Sequence, residues 1–98
     1  MTIEKVEENG KLKLKLIGRL DTNTVHDLEA VITESLDGVT DLHFDLSELE
    51  YVSSAGLRAL LAAQKAMRGK GEMVITGVND EVMEVFDVTG FIDILNIK

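Results

Sequence analysis

The sequence predicts an α/β domain in which an N-terminal β-hairpin is followed by βαβ crossovers. These elements would form a mixed, mostly parallel sheet of about four to five strands with three or more helices. Two observations carry this prediction. The chain opens with two alternating segments joined by Asn-Gly, and apolar segments of strand length then alternate with segments of helical periodicity. Because 98 residues leave room for one hydrophobic core, we expect residues 1–98 to form a single domain.

The first 17 residues have the pattern of a hairpin. From Thr2 to Glu8 the apolar residues Ile3 and Val6 stand among charged ones, and from Lys11 to Leu16 lysine and leucine alternate strictly. Between these segments lies Asn9-Gly10, whose two residues tolerate the positive φ angles of a tight hairpin turn. We therefore expect two antiparallel strands at the start of the chain.

The first helix is predicted to follow a polar loop that begins at Gly18. Thr24 is positioned to cap the helix, and Asp27 three residues later completes a capping-box pattern. Asp37-Gly38 is expected to end the helix. Its apolar face consists of Val25, Leu28, Val31, Ile32 and Leu36.

The next strand is predicted over Val39 to Leu46, after which the chain is expected to turn through a polar corner. His43 and Asp45 project from the same side of this strand and could pair, although a structural or solvent role is favoured over a catalytic dyad. An alanine- and leucine-rich helix follows the corner and ends at Gly69-Lys70-Gly71. Its charged side chains, together with those of the turn that ends it, are all basic: Arg58, Lys65, Arg68 and Lys70.

The remainder of the chain supplies one more clear strand and one more helix. Glu72 to Thr76 is predicted to be a short buried strand. Asn79 or Asp80 is expected to cap a third helix that ends at Thr89-Gly90, and Ile94 to Ile97 is the candidate for a last strand.

Composition excludes several classes of function. The chain has no cysteine, which removes disulfides, thiolate metal sites and thiol nucleophiles, and His26 and His43 lack ligand-type spacing. We therefore expect no metal and no cofactor. A formal net charge of −8 opposes binding to nucleic acid or to an anionic membrane. The absence of a membrane-length apolar segment and of a charged leader favours a cytoplasmic protein.

The sequence also argues against an enzyme. A nucleophilic serine needs a histidine base in reach, and nothing in the sequence indicates a triad. Paired carboxylates such as Asp45 and Glu48 are easy to find among 18 acidic residues. We expect no catalytic residue.

The candidate functional centre is Ser53-Ser54-Ala55-Gly56-Leu57, where the central helix begins. Ser54 can be interpreted simply as a helix cap, the usual reason for serine at such a position. It can also be interpreted as a phosphorylation site, because helix N-termini favour negative charge. In that case the N–H groups of Gly56 and Leu57 could receive the phosphate, and Arg58 could approach it from the same helix face.

Three elements of the sequence resemble those of STAS domains, specifically the stand-alone anti-sigma factor antagonists. The central element is Tyr51-Val52-Ser53-Ser54-Ala55-Gly56-Leu57-Arg58, preceded by Asp45-Leu46-Ser47. Gly18-Arg19-Leu20-Asp21 resembles the family's Gly-x-Leu-Asp element, and Phe86 to Phe91 resembles its Phe-x-x-x-Gly-Leu/Phe ending. The resemblance covers essentially the whole chain in element order and length, and it implies the STAS fold.

The resemblance implies that Ser54 is the phosphorylated serine. Ser53 stands where several members carry Asp, which makes it a second candidate acceptor. The residues implied to face a partner are Asp21, Thr22, Asn23, Ser53, Ala55, Gly56 and Arg58.

The resemblance also implies the partners. The unmodified protein would bind a serine kinase that doubles as an anti-sigma factor, and so release a sigma factor. Phosphorylation would end this binding, and a serine phosphatase would restore it. We expect a monomer when the protein is free. The alternatives from other classes are a STAS-type subunit of another complex, such as a transporter ATPase, and a small-ligand or nucleotide sensor.

Overall fold

The computed structural model describes all residues, 1–98, and arranges four strands in one mixed sheet. The elements are β1 (Thr2–Glu8), β2 (Lys11–Leu20), α1 (Val25–Ser35), β3 (Asp41–Val52), α2 (Ser54–Ala66), β4 (Glu72–Thr76) and α3 (Asp80–Thr89), followed by a 3₁₀ turn at Phe91–Asp93. The strand order is β1-β2-β3-β4, with β1 antiparallel to β2 and the other neighbours parallel. The predicted α/β class, opening hairpin and parallel crossovers are confirmed.

The strict alternation of β2 explains how the sheet buries one face. Its leucines at positions 12, 14 and 16 are fully buried, whereas the lysines between them point away from the core. The neighbouring strand β3 continues the same face with Leu42, Phe44 and Leu46. Together with residues from the helices they form one core cluster of 23 buried residues. Every helix therefore packs on one side of the sheet, and the other side carries mostly charged and polar side chains, with Val6, Val74 and Tyr51 among them.

The strand that leads to the central helix is longer than the sequence predicts. The predicted strand Val39 to Leu46 is observed as Asp41–Val52, so most of the expected polar corner is strand. The pairing of β2 with β3 shifts register twice, between Lys15 and Ile17 and between Gly18 and Arg19. At each shift β3 carries one extra residue, which forms a β-bulge. These bulges put Leu46, Leu49 and Val52 on the core face at intervals of three residues. Apolar and polar residues therefore stop alternating in this part of β3, which is why the sequence pattern predicted a turn here.

The capping box predicted for the first helix is wrong. Thr24 occupies the N-cap position but makes no side-chain cap bond. Its hydroxyl instead donates to the carbonyl oxygen of Arg19 at 2.8 Å and accepts the N–H of Asp21 at 2.9 Å. Thr24 therefore ties the loop back to the end of β2, and that strand runs on to Leu20 where a loop was expected from Gly18.

The predicted last strand is reduced to a single bridge. Ile97 pairs with Ile75 of β4, while Phe91–Asp93 forms the 3₁₀ turn. Gly90, in the left-handed conformation with φ 80°, ends α3 as predicted and redirects the chain. The segment after it approaches the edge of β4 only at its end.

Candidate partner-docking and modification site

The parallel pairing of β2 and β3 brings two of the sequence motifs together. Leu20 at the end of β2 pairs with Val52 at the end of β3, and the N–H of Ser53 donates to the carbonyl oxygen of Leu20 at 2.9 Å. Because carboxyl ends of parallel strands meet at one edge of a sheet, residues 21–24 and 53–58 emerge side by side. We call these two segments the switch corner.

Gly56 is the residue that lets α2 begin directly on the strand ends. A Cβ atom at this position would lie 2.8 Å from Cγ of Leu20, 2.9 Å from Cγ2 of Val52 and 3.0 Å from the carbonyl oxygen of Leu20. Gly56 is buried. Its observed role is therefore the close approach of helix and sheet, and its contact with a partner stays a prediction.

The structure gives the helix cap to Ser53 and not to Ser54. Ser53 has extended backbone angles, φ −90° and ψ 174°, and its hydroxyl oxygen accepts the N–H of Gly56 at 3.2 Å. Ser54 is the first helical residue and is exposed. The interpretation of Ser54 as the cap is wrong, and its hydroxyl lies at the surface.

The N–H groups expected to receive a phosphate on Ser54 are already bonded. Gly56 donates to the Ser53 hydroxyl, and Leu57 donates to the Ser53 carbonyl oxygen at 2.9 Å. A phosphate on Ser54 would have to displace the cap to use them. The side chain of Arg58 lies one turn further along the helix and is exposed. Unlike the two N–H groups, it has no hydrogen bond in the first turn that a phosphate would have to displace.

Asp21 organises the loop that lies beside Ser53. Its Oδ1 accepts the N–H of Asn23 at 3.0 Å and of Thr24 at 3.1 Å, and Arg19 Nε lies 3.8 Å from its Oδ2. Partial desolvation opposes ionisation, but the hydrogen bonds from Thr24 and Asn23 and the charge of Arg19 outweigh it, so the pKa of Asp21 is lower than usual. Asp21 is therefore ionised at neutral pH. Thr22 and Asn23 are both exposed at the tip of this loop.

Two residues not predicted as site residues flank the switch corner on the open side of the sheet. The guanidinium carbon of Arg19 lies 4.4 Å from the centre of the Tyr51 ring, a cation–π contact, and 39% of Tyr51 is exposed. Arg19 therefore connects the Asp21 carboxylate to this ring. The sequence could have indicated this contact only through the register of β2 and β3, and that register depends on the bulges.

A shallow groove between α1 and α2 opens beside the switch corner. Thr22, Ala55 and Arg58 line it from the switch corner, and His26 and Glu29 line it from α1. His26 Nδ1 lies 3.2 Å from a carboxylate oxygen of Glu29. The structure thus gathers Thr22, Ala55 and Arg58, three of the predicted partner-facing residues, around one surface depression.

The possible pairing of His43 with Asp45 is not observed. His43 Nε2 lies 2.6 Å from Thr76 Oγ1 of the neighbouring strand, and Asp45 accepts the N–H of Ser47 at 3.0 Å. Lys13 is the nearest basic partner of Asp45, at 3.9 Å. The two side chains are therefore occupied by different neighbours.

Comparison with known proteins now assigns the family. The family model of the STAS domain matches residues 2–98. The chain belongs to the STAS domain family. A curated relative, the anti-sigma-B factor antagonist of Staphylococcus aureus, is 31% identical over 100 residues, covering 100% of this chain and 93% of its own.

Solved structures of other proteins share the fold. An anti-sigma factor antagonist from Mycobacterium paratuberculosis has a TM-score of 0.87 at 22% identity, covering 98% of this chain and 83% of its own. The anti-sigma factor antagonist SpoIIAA in its unphosphorylated form gives 0.77 at 16% identity, over 99% of this chain and 87% of its own. Bacillus SpoIIAA in the phosphorylated form gives 0.76 at 17% identity, over 99% and 91%. None of the helices combines the length and the apolar composition that a membrane-spanning helix needs.

Proposed function

We propose that this STAS protein is an anti-sigma factor antagonist controlled by phosphorylation of Ser54. In the unmodified form it binds a serine kinase that is also an anti-sigma factor, and this binding releases a sigma factor. Phosphorylation ends the binding, and a metal-dependent serine phosphatase restores it. The observation that carries the proposal is the exposed Ser54 hydroxyl at the start of α2, beside the Asp21 loop, in a chain related to an anti-sigma-B factor antagonist.

Ser54 is the better acceptor of the two adjacent serines. Its hydroxyl is exposed, whereas the Ser53 hydroxyl holds the first turn of α2 through the Gly56 N–H. A kinase that turned the Ser53 hydroxyl away from the Gly56 N–H to reach it would lose this cap bond, at a cost of about 1 kcal/mol. Modification of Ser54 leaves the cap in place.

A phosphate on Ser54 opposes docking by charge and by bulk. It adds about two negative charges at neutral pH to a surface that already carries the ionised Asp21. A partner that buries this surface must desolvate the phosphate, which disfavours association. The helix itself tolerates the modification, because negative charge at its N-terminus is stabilising. The switch therefore acts on the partner and leaves the fold intact.

In this function the partners carry out the phosphorylation and the dephosphorylation. The chain acts as one STAS domain, monomeric when free, in the cytoplasm, with no catalytic activity and no cofactor of its own. ATP belongs to the kinase, and the metal belongs to the phosphatase. The docking surface consists of the exposed parts of the switch corner: Asp21, Thr22, Asn23, Ser53, Ala55 and Arg58, with Gly56 beneath them.

Peptide mass spectrometry tests the modification. The protein is isolated from its own cells, and the matched variants Ser54→Ala and Ser53→Ala are isolated in parallel. We expect one phosphoryl group on Ser54, lost in Ser54→Ala and retained in Ser53→Ala. We also expect a serine kinase to be retained by Ser54→Ala and released from the modified wild type. An unmodified Ser54 under all growth conditions, with the same companion always bound, contradicts the proposal.

A further inference from the structure

The basic side chains of this chain fall into two groups, those with an acidic partner and those without. Of the ten lysines and arginines, Lys5, Lys13, Lys15 and Arg19 form salt bridges with acidic residues. Lys70 donates to the carbonyl oxygen of Leu36 at 3.0 Å. Three of the remaining five, Arg58, Lys65 and Arg68, lie on α2 or the turn that ends it. We call these three residues the basic stripe.

The charge of α2 is opposite to that of the other two helices. Neither α1 nor α3 contains a lysine or arginine, and both are acidic, whereas α2 contains no acidic residue. The helix dipole favours cations in the last turn and so accounts for Lys65 and Arg68. It does not account for Arg58, which lies near the start of α2. Helix stability therefore does not explain the whole stripe.

The basic stripe continues from the proposed phosphorylation site along one helix face. Arg58 follows Ser54 by four residues and Lys65 follows Arg58 by seven, spacings that place all three on the same side. At the rise of an α-helix, Lys65 lies about 16 Å along the helix axis from Ser54. Ala62, the exposed residue between Arg58 and Lys65 in the sequence, is small, so a partner surface can approach the helix closely there.

We propose that the basic stripe docks an acidic surface of the kinase and steers it onto the switch corner. This inference rests on the proposed function, which supplies the kinase as partner. A protein with a local acidic patch fits better than nucleic acid or an anionic membrane, because the net charge is −8 and the groove beside the stripe is flanked by the acidic helix α1. An extended polyanion would meet those acidic groups as well.

The same placement gives phosphorylation a second effect. A phosphate on Ser54 lies one helical turn from Arg58 and can form charge-assisted hydrogen bonds with its guanidinium. Three positive charges in the basic stripe then fall to a net charge of about +1. The phosphorylated protein thus loses electrostatic attraction for the kinase as well as its fit.

The test measures the association rate with the kinase identified by the phosphorylation experiment, at ionic strengths from roughly 0.02 to 0.4 M. Wild type is compared with Lys65→Glu and with the control Lys11→Glu, which makes the same charge change at another unpaired lysine, on the far side of the sheet. We expect Lys65→Glu to slow association about tenfold or more at low salt and to flatten its salt dependence. Lys11→Glu should stay within about twofold of wild type, and Lys65→Arg should match wild type because it keeps the charge.

Each other outcome overturns a defined part of the account. Equal slowing by Lys65→Glu and Lys11→Glu would mean that overall charge acts and the stripe does not. A Lys65→Arg variant that associates as slowly as Lys65→Glu would show that the shape of this side chain, and not its charge, controls the association rate. Binding of duplex DNA or of anionic phospholipid vesicles that Lys65→Glu abolishes, with the kinase rate unchanged, would assign the stripe to another class of macromolecule. A kinase that does not bind unmodified wild type at any salt concentration contradicts the proposed function itself.

Discussion

At the switch corner two adjacent hydroxyl groups have different environments. Ser53 caps α2, and Ser54 is exposed on the first turn. Ser53→Ala should therefore lower the free energy of unfolding by about 1 kcal/mol, whereas Ser54→Ala should change it by less than about 0.5 kcal/mol. Urea unfolding of both variants measures this difference. Equal losses in the two variants would show that the cap is shared.

Ser35 is a buried polar residue whose hydroxyl has no hydrogen-bond partner in the chain. It lies in the last turn of α1 with 3% of its surface exposed. Because an unpaired buried polar group is destabilising, Ser35→Ala should raise the free energy of unfolding by about 1 kcal/mol. Thermal unfolding beside Ser54→Ala, an exposed serine truncated in the same way, provides the measurement and its control. A clear loss of stability in Ser35→Ala would contradict the absence of a partner.

Asp45 is expected to make stability depend on pH in acid. The backbone N–H and the side chain of Ser47 hold the pKa of Asp45 below its usual value, with Lys13 and Lys15 adding to this effect against partial desolvation. A carboxylate whose pKa is lower in the folded state contributes stability above its unfolded pKa and loses it as the pH falls below that value. Asp45→Asn should therefore reduce the fall in unfolding free energy between about pH 5 and pH 2. An unchanged pH profile for this variant, measured by urea unfolding, would remove Asp45 from the account.

Sequence reasoning could locate part of the candidate site at this scale. Ser54, Gly56 and Arg58 stand in a motif whose spacing is visible in the sequence, and Asp21 stands in another. The contact of Arg19 with Tyr51 could not be predicted, because it depends on the register of two strands that are far apart in the chain. Which of the two serines caps the helix and which is exposed depends on the exact residue at which the helix begins.

Among the elements, α2 depends on the absence of a side chain at Gly56. Alanine there would gain about 1 kcal/mol in helix propensity. Its Cβ would meet Leu20 and Val52 at 3.0 Å or less, including the Leu20 carbonyl oxygen, and such overpacking costs about 1–3 kcal/mol.

We therefore expect Gly56→Ala to be destabilising by about 1 kcal/mol or more, despite the better helix former. Urea unfolding measures it, with Ser54→Ala as a control in the same turn that adds no buried atom. A gain in stability would mean that Leu20 and Val52 can move aside without cost.

The predictability of the elements follows their periodicity. Strict alternation and Asn9-Gly10 identified the hairpin, and the 3.6-residue period identified the helices. The end of β3 was missed because two bulges replace the period of two by intervals of three at Leu46, Leu49 and Val52. The positions of the bulges depend on how β3 pairs with β2, and the residue pattern of β3 alone does not contain this information.

For the whole molecule, the proposed switch has to change binding and leave the fold in place. One core of 23 buried residues supports a single cooperative unfolding transition, and Ser54 lies outside it. Phosphorylation of Ser54 should therefore shift the melting temperature by no more than about 5 °C, equivalent to about 1 kcal/mol. Calorimetry of the modified and unmodified protein measures this. A drop of more than about 10 °C would indicate a switch that works by unfolding.

The central claim is that one phosphate on Ser54 decides whether the kinase binds. Isothermal titration of the kinase with the unmodified protein, and with the same protein homogeneously phosphorylated on Ser54, tests it directly. We predict tight binding by the unmodified form and a loss of at least about 100-fold in affinity on phosphorylation, which corresponds to about 2.7 kcal/mol. Equal affinity of the two forms, or tighter binding by the phosphorylated one, would contradict the partner switch.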